Sequence, residues 1–389
     1  MLNLFEHPFE FFKSLIRDTD WLMFGAALLI SLFGLVTMSS FVNDNPFFGK
    51  QIIWISLASI VFLVCSTIDF RFLRRTDVIV TLFLVICGLL LLLFGIGRVS
   101  HGSQSWFNLG FFSFQPSDPA KIVLILLLSK YFTRRHVEIK HIRHILISGV
   151  YSFILFLLVL LQPDFGSAIV IFLIWFGMVM VSGISKKHVF AVFCGAAVAG
   201  VLLWSFVFHD YQKQRIMSFL YPLADIHGAG YNAYQSMVAV GSGQLLGKGI
   251  GYGTQSRLLF LPEYQTDFIF AAYAEEWGFI GVLILFGLFG VLFWRIIRHA
   301  YRGASNFETL FGLGVSIWVM IHLVVNIGMN VGLLPVTGIT VPLMSYGGSH
   351  LLVEYAALGV IVGMARYSRP AHKDAAKNEI VGIHNPLVD

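Results

Sequence analysis

The sequence predicts an all-α polytopic membrane protein, and three observations carry this prediction. Of the 389 residues, 57% are hydrophobic and only 12% are charged, and the mean hydropathy is +0.80. A soluble domain would need far more charged surface. Apolar runs follow one another from Trp21 to Ala365 with no polar stretch long enough to form a separate soluble domain. We therefore expect one integral domain over residues 21–366, between an N-terminal segment (1–20) and a cytoplasmic C-terminal tail (367–389).

Ten of these runs are each about long enough to cross ~30 Å of hydrocarbon as a helix. An even number of crossings places both termini on the same side of the membrane. The predicted helices begin near Trp21, Ile52, Val78, Pro119, Ile145, Phe165, Val189, Phe268, Thr309 and Leu351.

Lysine and arginine residues assign the two sides of the membrane. If the N-terminus is cytoplasmic, the basic loops DFRFLRRTD, KYFTRRHVEIKHIRH, SGISKKH and WRIIRHAYRG and the tail RYSRPAHKDAAK all lie inside. Cytoplasmic loops are enriched in these residues, so we expect both termini in the cytoplasm. The basic residues left on the outer side are Lys50, Arg98, Lys121, Lys213, Arg215, Lys248 and Arg257.

The N-terminus, the net charge and the cysteines carry no catalytic signal. The first twenty residues lack a small-residue cleavage site, so we expect an interfacial amphipathic segment and not a signal peptide. The net charge of +5 follows the topology and forms no aromatic-laced basic patch, which argues against nucleic acid as a partner. Cys65, Cys87 and Cys194 lie singly in apolar runs and are interpreted as packing residues.

The longest polar segment is the predicted extracytoplasmic loop over residues 209–266. A connection of that length in a compact membrane domain is usually functional. Its stretch GSGQLLGKGIGYG is not a phosphate-binding P-loop, because Gly249 follows Lys248 where Ser or Thr is required and no strand precedes it. Either its glycine amides approach an anionic headgroup, or the stretch is a flexible re-entrant connection.

Ionisable residues stand at four predicted helix mouths on the outer side. Charges at membrane depth are costly and normally face a cavity or a partner. Asp118 and Lys121 share a helix face if Pro119 opens a helix, so they either contact substrate or form an internal ion pair. Asp164 is either a site residue or a helix N-cap. The four stretches are GKQIIW with Lys50, FQPSDPAK with Asp118 and Lys121, LQPDFGSA with Asp164, and LPEYQTDF with Glu263 and Asp267.

Asp267 heads a series of carboxylates. Glu275 follows about 12 Å deeper on broadly the same side of a helix, and Glu276 comes next. These carboxylates either line a polar interior or pair with Lys or Arg on neighbouring helices. The sequence has no His/Cys cluster with zinc spacing and no recognisable Ser or Cys nucleophile motif. What remains is the chemistry of carboxylates and cations.

Several of these stretches together resemble the SEDS family, whose members include RodA, FtsW and SpoVE. They are FQPSDPAK, LQPDFGSA, DYQKQRIMSF, the run from GAGYNAYQ to EEWGFIG, and NIGMNVGLLPVTGITVPLMSYGGSHLL. The resemblance covers about Lys50 to Arg366, with the motifs in the family's order. Within the family, GTQSRLLFLPE and DYQKQR look more like RodA, the elongation member, than FtsW.

The resemblance implies a ten-helix SEDS fold and a peptidoglycan glycosyltransferase. Such an enzyme polymerises lipid II on the outer face of the bacterial cytoplasmic (inner) membrane during cell elongation and cell-shape maintenance. The family's essential Asp falls on Asp267, which is the predicted catalytic residue. The implied partners are a class B penicillin-binding protein transpeptidase, other elongation-complex membrane proteins and membrane lipid.

Polymerisation joins a sugar hydroxyl to an anomeric carbon that bears a polyprenyl diphosphate, so it needs a general base and cations for the diphosphate. Asp267 is the predicted base, and Lys121 is the first choice of cation because it lies at a helix mouth. Mg²⁺ or Mn²⁺ bridging a carboxylate and the diphosphate is chemically reasonable, but no cofactor and no metal ligand is predicted with certainty. The predicted substrate-binding residues are Lys50, Asp118, Lys121, Asp164, Arg215, Lys248, Glu263, Thr266, Ser345, Tyr346, Gly347, Gly348 and Ser349, with Arg257 as a further outward cation.

Three positions depart from the family pattern. Asp118 stands where Glu is usual, and its shorter side chain leaves room for a water between it and Lys121. Ser105 stands where relatives have an Arg, a cation that Arg98 would have to replace. Gln265 stands where His is usual.

The sequence is also compatible with other functions. A lipid II flippase would spread charges along a path through the bilayer, and Glu275, Glu276, Glu354 and His322 lend it support. An FtsW-like division polymerase and a non-catalytic scaffold are further alternatives. The concentration of motifs on one face favours the enzyme.

Overall fold

The structure is a computed structural model. It describes residues 17–41, 46–100, 103–108, 110, 113–134, 142–183, 185–208, 210–221, 230–258, 260–261, 263–303 and 305–382. Most of the predicted N-terminal segment and the end of the predicted tail lie outside these residues. The helices are α1 (Trp21–Ser39), α2 (Pro46–Thr67), α3 (Thr76–Ile96), α4 (Ser117–Arg134), α5 (Ile142–Leu160), α6 (Phe165–Val181), α7 (Lys186–Leu202), α8 (Asp210–Leu220), α9 (Tyr231–Ser242), α10 (Thr254–Arg257), α11 (Ile269–Tyr301), α12 (Asn306–Asn330) and α13 (Gly348–Gly382).

The predicted multi-pass helical architecture is confirmed. In the part of the chain that the structure describes, eight helices are long and apolar enough to cross a membrane: α1, α2, α3, α5, α7, α11, α12 and α13. Two more helices stand where the fourth and sixth crossings are predicted. Of these, α6 is apolar but has only 17 residues, and α4 carries Asp118 and Lys121 in its first turns. The count of ten crossings therefore stays a prediction.

Nine of the ten predicted helix starts agree with the structure to within three residues. Helices α1 and α6 begin at Trp21 and Phe165 as predicted, whereas α2 begins at Pro46 and not near Ile52. Proline suits the first turn of a helix, because its missing N–H would have no partner there. Lys50 therefore belongs to the first turns of α2, where a charged side chain reaches the interface.

A small antiparallel sheet between α3 and α4 departs from the all-α expectation. Its strands are β1 (Arg98–Ser100), β2 (Ser103–Asn108) and β3 (Ser113–Phe114). Arg98 pairs with Trp106, and Phe107 pairs with Phe114. These strands have 3, 6 and 2 residues. They are too short for the alternation of polar and apolar residues that identifies a strand to be recognised in the sequence.

Helix α4 lies at the centre of the bundle. Ala120, Leu124, Ile125 and Leu128 are fully buried, and α4 packs against α3, α6, α12 and α13. Residues 122–128 of α4 are apolar on every face, which suits a helix in such a position. The bundle therefore encloses Asp118 and Lys121, which lie on the first turns of the same helix.

Small residues bring α2 and α13 close together. A Cβ atom on Gly359 would lie 2.7 Å from the Phe62 carbonyl oxygen, and one on Gly363 would lie 2.7 Å from the Cys65 carbonyl oxygen. Helices in a bilayer associate through such close backbone packing. The position of Cys65 in this contact agrees with its interpretation as a packing residue.

Helix α7 lies at the edge of the bundle. Phe193 contacts Phe176 of α6 edge-on, while Phe190, Val198 and Val201 are exposed. Apolar side chains on so many faces require a lipid environment and not water.

Candidate functional site

Most of the predicted site residues lie at one end of the bundle, which we name the motif end. Helices α4, α6, α11 and α13 begin there, and α12 ends there. The other end, where α1 and α12 begin and α11 ends, is named the opposite end. Side-chain contacts between chain segments far apart in sequence join the helix termini at each end.

Asp267 lies in a tight turn just before α11. The carbonyl oxygen of Glu263 accepts hydrogen bonds from the backbone N–H groups of Thr266, Asp267 and Phe268 at 3.1 to 3.2 Å. Glu263 takes a left-handed conformation with φ of 47°, and its carboxylate accepts a hydrogen bond from the Thr266 hydroxyl at 3.1 Å. Glu263 therefore shapes the turn that presents Asp267.

Two asparagines hold the backbone of Asp267 from one side. Asn326 and Asn330 at the end of α12 donate side-chain hydrogen bonds to the Asp267 carbonyl oxygen at 2.9 and 3.1 Å. Asn326 also donates to the carbonyl oxygen of Ile339 at 2.7 Å, and Ser236 of α9 donates to Asn330. These fully buried amides therefore fix the turn against α12.

The SYGGS segment holds the same turn from the other side. The Ser345 hydroxyl donates to the Thr266 carbonyl oxygen at 2.7 Å, and the Tyr346 N–H donates to the Gln265 carbonyl oxygen at 2.9 Å. Burial raises the pKa of Tyr346, so this phenol stays protonated at neutral pH. The half-buried Asp267 carboxylate faces Gly338, where a Cβ atom would lie 3.6 Å from Oδ2.

The glycines of this segment allow close packing. A Cβ atom on Gly348 would lie 2.2 Å from the indole ring of Trp54 in α2. Glycine is therefore required for the backbone to approach that ring. Gly347 precedes it in a half-buried position.

Asp118 and Lys121 form a direct ion pair. Lys121 Nζ lies 3.1 Å from Asp118 Oδ1, and both side chains are almost completely buried. The water that the sequence analysis allowed between them is therefore not needed, because the first turn of α4 points both side chains to one point. His350 of α13 also approaches Asp118 Oδ1, at 3.0 Å. Asp118 thus joins α4 to α13.

Asp164 caps α6 and takes part in a second link at the motif end. Its Oδ1 accepts a hydrogen bond from the Ser167 N–H at 3.0 Å, which is an N-cap. Its Oδ2 accepts from the Gln115 side chain at 3.0 Å, and the Gln115 N–H donates to the Ser349 hydroxyl at 3.3 Å. Gln115 therefore connects the starts of α6 and α13.

Helix α11 is broken at Gly278, and the glycine-rich stretch 243–251 provides hydrogen-bond partners for the backbone groups that the break leaves unpaired within the helix. Gly278 has φ of 65° and ψ of −169°, a conformation open essentially to glycine alone. The carbonyl oxygens of Glu275 and Glu276 accept from the N–H groups of Lys248 and Gly249 at 2.9 and 3.0 Å.

On the other side of the break, two N–H groups of α11 find partners in the same stretch. Phe279 and Ile280 donate to the carbonyl oxygens of Gln244 and Leu245 at 2.9 and 3.1 Å. Polar backbone at membrane depth must be paired inside the protein. The stretch is thus a re-entrant connection held by α11.

The two glutamates before the break anchor this connection. Glu275 Oε1 lies 2.6 Å from Lys248 Nζ and accepts from the Thr254 N–H at 2.8 Å. Glu276 accepts a hydrogen bond from Ser40 at the end of α1. The basic partner of Glu275 comes from the connection and not from a neighbouring helix, because the break brings that stretch beside the carboxylate.

The other predicted cations lie on the surface. Lys50 is exposed on the first turns of α2, Arg215 is exposed on α8, and Arg257 is exposed at the end of α10. Arg257 donates to the Gly251 carbonyl oxygen at 3.3 Å. Lys121 differs from them because it is buried beside Asp118. Their roles in substrate binding stay predictions.

The residues described in the structure include no group of three or more His, Cys, Asp or Glu side chains placed to hold a metal ion. A bridging divalent cation therefore stays a prediction that would rest on substrate oxygens as well as protein ones.

Five residues that hold this site together were not predicted as site residues: Gln115, Asn326, Asn330, His350 and Glu354. The asparagines carry a signal that could have been used, because they are polar, four residues apart and inside an apolar helix. Gln115 and His350 lie inside the recognised stretches FQPSDPAK and NIGMNVGLLPVTGITVPLMSYGGSHLL. Their partners are too distant in sequence to be inferred from spacing.

The model of the cell cycle protein family FtsW/RodA/SpoVE matches residues 14–370. The chain is 36% identical over 363 residues to a protein of Escherichia coli (strain K12) named peptidoglycan glycosyltransferase MrdB, covering 93% of this chain and 97% of that protein. It is also 36% identical over 332 residues to stage V sporulation protein E of Bacillus subtilis (strain 168), covering 84% of this chain and 89% of that one.

Two solved structures have the same fold. One belongs to work described as the structural coordination of polymerization and crosslinking by a peptidoglycan synthase complex. Its TM-score is 0.77 at 29% identity, covering 90% of this chain and 98% of that one. The other is the rod shape determining protein RodA of Thermus thermophilus, with a TM-score of 0.68 at 27% identity, covering 90% of this chain and 97% of that one.

Proposed function

The chain belongs to the FtsW/RodA/SpoVE family, and from this premise we propose that it is a peptidoglycan glycosyltransferase that polymerises lipid II during cell elongation and releases polyprenyl diphosphate. The names of its relatives support the enzyme class. The observation that carries the proposal is the convergence of the Asp267 turn and the Asp118–Lys121 pair at the motif end. Thr266, next to Asp267, accepts a hydrogen bond from Ser345 of SYGGS, and Asp118 contacts His350, which directly follows SYGGS.

We place this motif end on the outer face of the bacterial cytoplasmic membrane. Basic residues support that orientation, because Arg71, Arg74 and Arg75 cluster at the opposite end between α2 and α3, as the positive-inside rule expects for the cytoplasmic side. Lipid II presents its disaccharide to the outer face during polymerisation, so the catalytic groups must lie there.

Asp267 acts as the general base. Its carboxylate accepts the proton from the acceptor sugar hydroxyl as that oxygen forms a bond to the anomeric carbon and the bond to the diphosphate breaks. Asn326 and Asn330 hold the backbone of Asp267, and Ser345 and Tyr346 of SYGGS hold the two residues before it. The carboxylate therefore needs little reorganisation at the moment of reaction. A positioned base contributes about 10² to 10⁴ in rate.

Lys121 provides positive charge for the departing diphosphate. As a lysine it acts as a compact point charge and not as a bidentate clamp. Only one of its three N–H donors is needed for Asp118, which leaves the others for substrate oxygens. The exposed cations Lys50 and Arg215 can meet the diphosphate before it reaches the buried pair.

The distribution of charges favours an enzyme over a flippase. A flippase needs ionisable groups along a path through the bilayer. Glu275 and Glu276 are instead engaged by the re-entrant connection, and Glu354 belongs to the Asp118 cluster through His350. The three buried carboxylates that could have lined a path through the bilayer thus have partners in the re-entrant connection or in the Asp118 cluster.

The decisive experiment is polymerisation of labelled lipid II by the purified protein in detergent, where no membrane sidedness exists. We expect Asp267→Asn to lower the rate by about 10² to 10⁴ while binding of lipid II is retained. Asp77→Asn makes the same chemical change at an exposed position on α3 and should keep the wild-type rate. If Asp267→Asn polymerised lipid II at a near wild-type rate, Asp267 would not be the general base.

A class B penicillin-binding protein is the proposed partner. The solved structure of highest similarity reported above is described as a peptidoglycan synthase complex that coordinates polymerisation and crosslinking. The exposed apolar surface of the bundle provides area on which a single transmembrane helix can pack. Co-purification in mild detergent tests the pairing, and failure with both proteins folded counts against it.

A further inference from the structure

His350 and Glu354 connect the two halves of the proposed site. His350 is the third residue of α13, and Glu354 lies one turn further along the same helix. Both side chains are buried. One end of the connection is the Asp118–Lys121 pair, and the other is the segment that holds the Asp267 turn.

The geometry of His350 indicates its charge. Its Nδ1 lies 3.0 Å from Asp118 Oδ1, and its Nε2 lies 3.0 Å from Glu354 Oε1, an ion-pair contact and not an aligned hydrogen bond. A neutral imidazole has only one N–H group. It would therefore place a lone pair against one of the two carboxylates. An imidazolium ion presents an N–H group to each of the two carboxylates, and the cluster then holds two positive and two negative groups.

Glu354 continues the connection toward Asp267. Its second oxygen, Oε2, accepts a hydrogen bond from the Leu343 N–H at 2.8 Å. Leu343 takes a left-handed conformation with φ of 62°, which costs energy for a residue with a side chain. Ser345 and Tyr346, which bind the Asp267 turn, follow immediately in the chain. Glu354 thus stabilises the backbone that positions that turn.

Aromatic rings close the cluster. His322 of α12 stacks on His350 with ring centroids 4.8 Å apart, and Trp318 contacts both rings edge-on. Groups so enclosed interact in a low-dielectric environment, where charges act strongly on one another. A change of charge on His350 will therefore be felt at Lys121.

We propose that His350 and Glu354 are positioning residues that set the charge available for the diphosphate. His350 shares the carboxylate of Asp118, so Lys121 is not fully neutralised and keeps positive charge for an incoming diphosphate. Glu354 holds His350 in place and fixes the turn beside Asp267. This inference rests on the proposed function, because it assigns the diphosphate to Lys121.

The test uses His350→Gln, Glu354→Gln and the double variant of the full chain in detergent. Three quantities are measured: KM and kcat for lipid II polymerisation, and the Kd for undecaprenyl diphosphate, a probe that undergoes no reaction. We expect each single variant to weaken diphosphate binding about tenfold and to raise KM to a similar extent, while kcat changes about threefold or less. The double variant should lose little more than either single one, because both act through the same contact.

Glu308→Gln is the matched control. Glu308 is also a buried carboxylate in an ion pair, with Arg74, but at the opposite end. Its neutralisation should leave KM and the diphosphate Kd unchanged. A change in Kd of the same size in this variant would show that the effect is a general consequence of lost stability, and would overturn the proposal.

The remaining outcomes separate the two proposals. If the wild-type chain fails to polymerise lipid II, the proposed function fails. If it polymerises, and folded His350→Gln and Glu354→Gln keep the wild-type KM and Kd, only the charge-sharing inference is wrong. A loss confined to kcat also overturns it. If neither single variant folds, the two residues are structural and the inference is overturned as well.

Discussion

The two ends of the bundle both contain buried carboxylates, yet they use them differently. At the opposite end, Asp20 caps α1 and binds Arg295 and His299 near the end of α11, while Glu308 pairs with Arg74. These contacts join the termini of regular helices. At the motif end, the carboxylates bind irregular backbone or share partners within a cluster.

The difference shows that buried charge alone does not mark a site. Asp20 is as well buried as several motif residues, and its partners account fully for its position. At the motif end, the chain adopts left-handed or broken backbone at Glu263, Gly278 and Leu343, and each of these conformations is held by nearby polar groups. Strained backbone that is over-determined by its surroundings is typical of functional sites.

The largest effect on the fold is expected from filling the helix break. In Gly278→Ala, the new Cβ atom would lie 2.2 Å from the Gly247 nitrogen, and the backbone conformation would be strained. We expect a loss of about 3 kcal/mol or more, seen as a lower unfolding temperature and a lower yield of monodisperse protein in detergent. Gly290→Ala, on the same helix with open space around it, is the control and should behave as wild type. Equal stability of the two variants would show that the break is not required.

Breaking the Asp118–Lys121 pair should have the next largest effect. Removing one partner leaves a buried charge without compensation, which costs about 3 to 5 kcal/mol of stability. Because the pair belongs to the proposed site, Asp118→Ala and Lys121→Ala should each also lower polymerisation by about 10²-fold or more. The double variant should lose less than the product of the two losses, because the partners act as a unit. Multiplying losses would contradict the pairing. Asp118→Glu, with the family's usual residue, should retain activity.

Loosening the Asp267 turn should have a smaller effect. Asn330→Ala removes a donor to the Asp267 carbonyl oxygen and leaves the Ser236 hydroxyl with one acceptor fewer. We expect a loss of about 1 to 3 kcal/mol in stability and a fall of about tenfold in kcat, since Asn326 still holds the turn. Unfolding in denaturant and polymerisation rates measure the two effects. A variant with full activity and lowered stability would show that Asn330 contributes to the stability of the fold and not to catalysis.

The smallest effect, confined to stability, is expected at the opposite end. Burial raises the pKa of Asp20, but hydrogen bonds from His299 and Arg295 outweigh it and lower the pKa from 3.8 to about 2. Because the folded-state value is the lower one, the stabilisation is present above about pH 4 and is lost as the pH falls toward about 2. We expect it to contribute about 1 to 2 kcal/mol after allowance for solvent screening.

Asp20→Asn measures that contribution. At neutral pH the variant should unfold at a lower temperature than wild type and polymerise lipid II at the same rate. Between about pH 4 and pH 2 the two unfolding temperatures should converge, since the wild type loses its carboxylate charge there. A gap that stays constant with pH would contradict the assigned cause, and a fall in polymerisation would break the distinction between the two ends.

Most of the helical architecture can be predicted from the sequence. The starts of α1, α6 and α11 are predicted to within one residue, because segments in contact with hydrocarbon must be apolar over a length set by the bilayer. The family resemblance and the enzyme class follow from long motifs that lie in order along the chain. The break in α11 was not predicted, since an isolated glycine inside an apolar run is compatible with an unbroken helix.

The membrane explains why the helices can be predicted from the sequence while the contacts between them cannot. Hydrocarbon acts on each segment separately, so hydropathy along the chain reveals the helices and the balance of Lys and Arg residues orients them. The partners of polar groups arise only when the helices pack. Asp118 and His350 meet across 232 residues of sequence, and Glu275 meets Lys248 because Gly278 interrupts α11. Spacing along one helix could suggest the pairing of Asp118 with Lys121, but only the packed bundle decides that His350 and Glu354 join it, because their approach depends on the arrangement of α4, α12 and α13 around a shared buried space.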